Sequence, residues 1–228
     1  MEELQFIGIG GATCLDLGGN ACFYKENSKL LVIDACESAT KKLLSVNSFD
    51  GIKEVFIAIT HTHFDHVAGL GTLIWYCNFY LNIKPKVIYS NYKYLRVLSK
   101  LLKITGVEAQ YFTFIQDKDC NFNGLRLAYV KTLHDPKLLC NGIMFEDEEG
   151  KYYYSGDTKD FAGIKEIVQN SEVKKVYCEV CTESFNMHIA YSDLLSIKNE
   201  KVTPMHFNTV ELYNRAKQDG FVMPKYIK

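Results

Sequence analysis

Residues 61–66, with the sequence HTHFDH, place four metal-capable side chains within six positions and constrain this chain more than any other feature. A run of five apolar residues, 55–59, ends two positions before His61 and predicts a buried strand. Where that strand ends, the alternate residues His61 and His63 point the same way and can hold one cation. Asp65 and His66 then turn towards a second cation nearby. Imidazole and carboxylate ligands favour zinc, and two cations roughly 3.5–4 Å apart can activate water for hydrolysis.

One hexapeptide cannot saturate two cations, so further ligands must come from elsewhere in the chain. Three more histidines are available, His134, His188 and His206. His134 and His206 each follow a stretch that predicts a strand, and Asp157 follows a tyrosine-rich strand that stops at Gly156. Strand ends are where a rigid scaffold presents functional side chains, so we expect these residues to converge on the hexapeptide.

In this order the residues resemble the metallo-β-lactamase superfamily of dinuclear metal hydrolases. That pattern is His-x-His-x-Asp-His, a later His, a bridging Asp before Thr, and a final His. The resemblance implies one ligand set for each metal: His61, His63 and His134 for the first, and Asp65, His66 and His206 for the second. Asp157 would bridge them. The cofactors are then two divalent ions, with zinc (Zn²⁺) favoured and manganese (Mn²⁺) also compatible.

Periodicity and turn residues predict the secondary structure along the chain. We expect strands at 4–9, 21–26, 30–35, 54–59, 86–89, 111–116, 124–131, 141–146, 151–155, 174–179 and 202–205. We expect helices at 37–46, 67–81, 92–103, 161–169, 192–198 and 211–219. Strands come first and then alternate with helices, twice over, which fits the α/β, four-layer αββα sandwich of the superfamily. No linker divides the 228 residues, so we predict a single domain over 1–228.

Features beyond the seven ligands resemble the ribonuclease Z branch of the superfamily. They are the segments 6–11 and 31–37 and the pairing of Glu179 with His188. The resemblance implies that His188, held by Glu179, protonates the leaving alkoxide, while Asp65 orients the attacking water or takes its proton. The interval between Glu179 and His188 is shorter than in the relatives that process tRNA.

Transfer RNA is the expected substrate of that branch, yet this chain lacks features that it requires. Relatives that trim tRNA carry a long flexible arm around the bridging aspartate. Here the short interval from His134 to Asp157 is largely filled by a predicted hairpin, which leaves no room for the arm. A formal net charge of −1 and a pI of about 6.6 also lack the basic excess of proteins that make many phosphate contacts. A small phosphodiester is therefore the better substrate.

Compact chains without the arm resemble the phage anti-Pycsar phosphodiesterases and their bacterial relatives. Residues 69–77 (GLGTLIWYC) look like that group too. The resemblance implies a homodimer that opens 3′,5′-cyclic mononucleotides. We therefore predict hydrolysis of a cyclic nucleotide, with pyrimidine nucleotides favoured. Fifteen tyrosines and fourteen phenylalanines provide rings that could stack a base, although most must belong to the core.

Two other activities stay open. A ribonuclease Z-like RNA 3′-end endonuclease would need the segment from Lys84 to Lys103, which has six basic and no acidic residues, to border the metal cleft. We favour the simpler interpretation, in which this basic face is the solvated outside of a helix. A thioesterase or lactonase of the superfamily would use the same metals but should not depend on His188.

The eight cysteines predict buried thiols, because the sequence shows no export signal and is long enough for a large core. Cys178 and Cys181 form the only CxxC pair, for which a third metal or a redox role is the alternative. The chain starts with acidic residues, and its longest apolar stretch, around Leu70 to Leu81, is too short to span a bilayer. We expect a cytoplasmic protein with no membrane partner.

Overall fold

The computed structural model describes residues 3–183 and 187–227. Its strands are β1 (Gln5–Gly8), β2 (Ala21–Glu26), β3 (Lys29–Ile33), β4 (Glu54–Ala58), β5 (Lys86–Tyr89), β6 (Thr113–Gln116), β7 (Arg126–Lys131), β8 (Asn141–Asp147), β9 (Gly150–Tyr154), β10 (Val173–Glu179) and β11 (Val202–Met205). Its helices are α1 (Glu37–Ser45), α2 (Phe64–Val67), α3 (Leu70–Phe79), α4 (Tyr92–Ile104), α5 (Phe161–Gln169), α6 (Tyr191–Ser196) and α7 (Val210–Gln218).

The strands form two sheets, and each sheet has antiparallel strands on one side and parallel strands on the other. The first sheet has the order β1-β2-β3-β4-β5-β6, antiparallel up to β3 and parallel from β3 to β6. The second has the order β11-β10-β9-β8-β7, antiparallel from β7 to β9 and parallel from β9 to β11. Because parallel neighbours end on the same side, the loops after β4, β9 and β11 can meet at one edge of the sandwich.

Alternate residues of the first sheet face opposite layers. Leu31 and Ile33 of β3 belong to the core that includes the second sheet, whereas Leu30 and Val32 face the core that includes α1, α3 and α4. This two-residue period follows from the pleat of a strand and explains why β3 is apolar from Leu30 to Ile33. Helices α5, α6 and α7 contribute to the first of these cores. The layers are therefore helix, sheet, sheet and helix.

Helix α4 is anchored to the end of β4, beside the hexapeptide. The Asn91 side chain caps the helix by accepting hydrogen bonds from the backbone N–H groups of Lys93 (3.0 Å) and Tyr94 (3.1 Å). The fully buried Tyr94 donates its hydroxyl proton to the carbonyl of Ile59 at 2.6 Å. This bond fixes the chain two residues before His61.

The predicted helix over 67–81 is wrong in its extent, because a break at Gly69 separates α2 from α3. A Cβ added to Gly69 would lie 2.3 Å from Oγ1 of Thr40 and 2.7 Å from the carbonyl oxygen of Cys36. The Gly69 backbone N–H also donates to the Ala35 carbonyl at 2.7 Å. Contact with α1 therefore forces the break, and α2 begins inside the hexapeptide. Among the described residues no helix is both long and apolar enough to cross a membrane.

Candidate metal centre

The predicted ligands lie at strand ends along one edge of the sandwich. Those of the hexapeptide follow β4, and His134, Asp157 and His206 follow β7, β9 and β11. The backbone turns sharply at two of these points. Gly156 has a φ of +55°, and a Cβ there would lie 2.5 Å from the Asn141 carbonyl oxygen. His206 itself has a φ of +55°, a strained conformation that is typical of functional sites.

The first predicted ligand set is brought together. His61 Nε2 lies 2.9 Å from His63 Nδ1, and His134 Nε2 lies 3.2 Å from the same His63 nitrogen. His61 and His134 are buried, while His63 is partly exposed. Three ring nitrogens therefore converge on one point, which is the arrangement that a cation bound by imidazoles requires.

The second predicted set is brought together beside the first. Oδ2 of Asp65 lies 3.4 Å from His206 Nε2 and 3.5 Å from His66 Nε2. Within each set, one ligand atom per residue can be chosen so that all lie within 4.8 Å of one another. The hexapeptide thus supplies both sets, His61 and His63 to one and Asp65 and His66 to the other.

The two oxygens of Asp157 face different sets. Its Oδ2 lies 3.6 Å from His134 Nε2 and 3.9 Å from His61 Nε2. Its Oδ1 lies 3.4 Å from His66 Nε2 and 3.6 Å from His206 Nε2. The Asp157 carboxylate thus lies close to imidazole nitrogens of both ligand sets. This placement is what a ligand shared by two cations would require.

Two buried atoms test whether these residues fit a pair of cations. His66 Nε2 and Asp157 Oδ1 are both buried and have no hydrogen-bond partner among the described residues. A buried polar atom left without a partner costs roughly 1–3 kcal/mol, and more when it is charged. A cation between them would remove that cost, so the donor set and the unsatisfied atoms both fit metal binding.

The acidic ligands are held in their charged form. Burial favours the neutral acid, but His206 and His66 more than offset it and lower the pKa of Asp65 to about 2. Burial likewise opposes ionisation of Asp157, yet His206, His66 and His61 keep its pKa well below the usual range. Carboxylates that stay ionised when buried attract a compensating positive charge, which divalent cations can supply.

Four of the histidine ligands hold a second partner through their other ring nitrogen. The pairs are His61 Nδ1 with Thr60 Oγ1 (3.1 Å), His63 Nε2 with Asp135 Oδ2 (3.4 Å), His66 Nδ1 with Asp34 Oδ2 (2.8 Å) and His134 Nδ1 with the Met187 carbonyl (2.8 Å). Such partners fix the ring orientation and the tautomer of a metal ligand. Sequence reasoning assigned no role to these partners, although Asp34 lies in a segment that carried the resemblance.

Asp34 is the most embedded of these partners. It is fully buried, and its φ of +59° is unusual for a residue with a side chain. Its carboxylate accepts hydrogen bonds from the backbone N–H of Thr60 at 2.8 Å and from the Tyr154 hydroxyl at 3.4 Å. The Asn20 amide in turn donates to that hydroxyl at 2.7 Å. This network holds the His66 ring rigidly beneath the second ligand set.

We expect Asp34→Asn to weaken metal binding roughly 10–100-fold, because the neutral amide supports the His66 imidazole less well than a carboxylate. Titration of metal-free protein with zinc in competition with a chelator measures the change. Asp119→Asn, at an exposed aspartate outside the network, is the matched control and should bind metal like the unsubstituted protein. Equal affinities for both variants would show that Asp34 does not support the ligand.

Glu179 and His188 form the predicted dyad. His188 Nδ1 lies 3.0 Å from Oε2 and 3.2 Å from Oε1 of Glu179, whose side chain is fully buried. The Thr158 backbone N–H also donates to Glu179 at 2.7 Å. Burial raises the pKa of Glu179. Burial alone would lower the pKa of His188, but the Glu179 carboxylate outweighs that effect, so the pKa of His188 is raised overall. The pair is therefore suited to holding a proton.

One cavity of about 290 Å³ is lined by His188 of the dyad and by five of the predicted ligands, His63, Asp65, His134, Asp157 and His206. A ligand atom of His188 lies within 4.8 Å of ligand atoms of Asp157 and His206, so the dyad adjoins the metal centre. Ligand pockets commonly enclose about 300–1,000 Å³. The cavity is at the small end of that range and suits a compact ligand.

The basic segment and Cys178 lie outside the lining of this cavity, whereas Cys181 belongs to it. Lys93, Arg96, Lys100 and Lys103 line an open groove on α4, and among the described residues the groove and the cavity share no lining residue. All eight cysteines are buried free thiols, which confirms the prediction of buried thiols. No metal-capable cluster in the described part of the chain contains Cys178 or Cys181. Cys178 lies within β10, and Cys181 lines the metal cavity.

Solved structures share this fold at low sequence identity. YhfI from Bacillus subtilis, a metallo-β-lactamase fold protein, matches with a TM-score of 0.72 and 15% identity over 99% of this chain and 95% of its own. A diphosphatase of the PhnP family matches with a TM-score of 0.69 and 16% identity over 98% and 94%. The short form of human tRNase Z matches with a TM-score of 0.65 and 14% identity over 91% and 93%. These matches confirm the predicted αββα fold.

The chain has the fold of the metallo-β-lactamase class, and its clustered histidines and aspartates fit a metal centre in that fold. Within that class the chain belongs to the anti-Pycsar protein Apyc1 family, whose sequence model matches residues 2–224. The match confirms the resemblance to the anti-Pycsar group that the absence of the arm and residues 69–77 indicated. No curated protein sequence matches the chain.

Proposed function

We propose that this chain hydrolyses a small phosphodiester, a 3′,5′-cyclic nucleotide, with cyclic pyrimidine nucleotides favoured. One observation carries the proposal: His188, which is paired with the buried Glu179, lines the same small cavity as ligands from both predicted metal sets. The metal sets suit attack on a phosphodiester, and His188 suits departure of its alkoxide. Membership in the anti-Pycsar protein Apyc1 family also supports it.

Each residue has a defined part in this chemistry. When bound, a pair of divalent cations lowers the pKa of water and neutralises charge on the phosphate oxygens. Asp65 stays ionised, so its carboxylate can accept a hydrogen bond from the attacking water and orient it. His188, held through Nδ1 by Glu179, presents Nε2 to the cavity and can donate a proton to the leaving oxygen. Glu179 thus sets the ring orientation of the acid.

Ligand chemistry supports zinc as the resident metal, with manganese as the alternative. Five imidazoles and two carboxylates, without thiolate, make up the two sets. Zinc binds such nitrogen-rich sets in near-tetrahedral geometry, whereas manganese prefers more oxygen ligands. The free thiols further support a cytoplasmic site of action, because reducing compartments preserve them.

Cavity size and charge placement favour a mononucleotide over structured RNA. The cavity of about 290 Å³ has room for a single nucleotide but not for a folded tRNA end with its neighbours. Among the described residues, the basic groove on α4 shares no lining residue with that cavity. The lysine and arginine side chains of the groove therefore do not line the metal cavity. The human tRNase Z match is to a protein of similar fold only.

A substrate panel tests the proposal. Purified, metal-loaded protein should hydrolyse 3′,5′-cyclic CMP and UMP faster than cyclic AMP and GMP, and should leave a tRNA precursor, a lactone and a thioester largely intact. Liquid chromatography of the products gives kcat/KM for each compound. Efficient tRNA trimming without turnover of any cyclic nucleotide would refute the proposal and favour the ribonuclease Z-like activity. Turnover of the lactone or thioester alone would favour the thioesterase or lactonase activity.

We also propose that the protein forms a homodimer through α3. No residue of this helix is charged, and Trp75 (39% exposed) and Phe79 (61% exposed) leave apolar surface uncovered. Uncharged helix surface with exposed apolar side chains is suited to a protein interface, so a second copy of α3 is a suitable cover.

Sedimentation velocity tests the dimer. The unsubstituted protein should sediment as a dimer, and the double variant Trp75→Ser with Phe79→Ser should shift to monomer at the same concentration. Tyr92→Ser removes a 70%-exposed ring from α4 and serves as the control that stays dimeric. A monomeric unsubstituted protein, or a double variant that remains dimeric, contradicts this interface.

A further inference from the structure

An aromatic ring stands unburied at the wall of the metal cavity. Phe64 is 69% exposed, yet it lines the cavity together with His63 and Asp65. Single exposed apolar side chains are common, so what distinguishes Phe64 is its place in the wall of a cavity, where aromatic side chains commonly contact a ligand. Among the described residues that line this cavity, Phe64 is the one with a purely hydrocarbon ring.

The ring is held at a fixed place relative to the proposed metals. Phe64 is the first residue of α2 and lies between one ligand of each set. The His66 backbone N–H donates to the His63 carbonyl at 3.0 Å, and the Ala68 N–H donates to the Phe64 carbonyl at 2.9 Å. A ring on so constrained a backbone requires little further ordering when it meets a ligand, which favours affinity.

No protein ring in the described part of the chain stacks on Phe64. Some exposed or half-exposed aromatic residues of this region do form ring pairs, for example Tyr76 with Tyr80 (5.2 Å between centroids) and Phe79 with Tyr111 (5.2 Å). Phe64 also lines a neighbouring apolar groove that includes Trp75, so it forms part of the wall between groove and cavity. The ring is therefore available to a ligand ring.

We infer that Phe64 is the stacking platform for the nucleobase of the substrate. The inference rests on the proposed function, since only a substrate with a base needs such a platform. Phe64 lines the same cavity as ligands of both sets, so a base joined through its sugar to a phosphodiester at those ligands would meet this wall. Every base has a π-face, so stacking adds affinity for all four bases and does not select among them. Phe64 thus contributes to binding, and the choice of base depends on polar contacts elsewhere.

Kinetics of Phe64→Ala test the inference. Loss of base stacking should raise KM for cyclic CMP about 5- to 150-fold, with kcat much less affected, and should raise KM for cyclic AMP by a similar factor. The loss should be confined to substrates with a base, so KM for abasic ribose 3′,5′-cyclic phosphate should not rise in parallel. Phe64→Trp keeps a ring and should recover most of the lost affinity. Tyr92→Ala, which removes an exposed ring outside the cavity, should match the unsubstituted protein.

Direct binding and assembly distinguish the alternatives. Fluorescence of a 2-aminopurine 3′,5′-cyclic nucleotide should be quenched on binding to the unsubstituted protein and much less quenched with Phe64→Ala. An unchanged KM in Phe64→Ala, equal losses on the abasic substrate, or dissociation of the dimer as the only effect would overturn the inference. If the unsubstituted protein turns over no cyclic nucleotide at all, the proposed function itself fails, which is distinguishable from a failure confined to the Phe64 variants.

Discussion

Asp157→Ala should abolish hydrolysis of every substrate and release both metals. Its two carboxylate oxygens face different ligand sets, so one substitution removes a ligand from each. Loss of a residue that only supports one metal ligand lowers metal affinity or activity roughly 10–100-fold. Removal of a direct ligand shared by two ions should therefore lower kcat/KM at least ~10³-fold. Elemental analysis of the purified variant should find less than one metal ion per chain, compared with two in the unsubstituted protein.

The control for this substitution is Asp119→Ala, which changes an exposed aspartate far along the sequence from any ligand. It should keep both its metals and its activity. Thermal unfolding should also distinguish the two variants once metal is added, because only the protein that binds metal gains stability from it. An Asp157→Ala protein that retains two metals would mean that the carboxylate is not shared.

His188→Ala should have an effect that depends on the leaving group. A general acid increases the reaction rate about 10²–10⁴-fold. The effect is largest when the leaving group is poor. The variant should therefore lose about that factor on a cyclic nucleotide, which expels an alkoxide, and much less on a p-nitrophenyl phosphodiester, which expels a stabilised phenolate. Glu179→Gln should show the same pattern more weakly, since it leaves the imidazole in place but removes the buried carboxylate that raises the pKa of His188.

Metal content decides between two roles of His188. Its ring nitrogen is close enough to Asp157 and His206 to act as a further ligand. A general acid can be removed without loss of metal, so His188→Ala should retain two ions per chain. Loss of metal, or an equal loss of activity on both leaving groups, would make His188 a ligand and not a proton donor.

The strands and the ligand order could be predicted because each depends on local pattern. The apolar run of β4 and the adjoining hexapeptide predict a strand that ends in ligands, and the structure puts Ala58 and His61 at that boundary. Most predicted element bounds agree within a few residues for the same reason. The division of ligands into two sets came from the family resemblance, and the distances agree with it. The single domain over 1–228 stays a prediction.

Features that depend on tertiary contact could not be predicted. The break at Gly69 arises from the approach of Thr40, and no periodicity within residues 67–81 encodes that contact. Asp34 lies 32 positions before the His66 ring that it supports. The Met187 carbonyl that meets His134 carries no side-chain signal at all. These partners contact the ligands across the folded structure. A sequence pattern shows which residue types are present but not which of them come into contact.

An anomalous difference map of the metal-loaded crystal tests the central claim most directly. The account predicts two peaks roughly 3.5–4 Å apart. One should lie among His61, His63 and His134 and the other among Asp65, His66 and His206, each beside a different oxygen of Asp157. A single peak, or peaks away from Asp157, would contradict the two-cation centre on which the proposed chemistry depends.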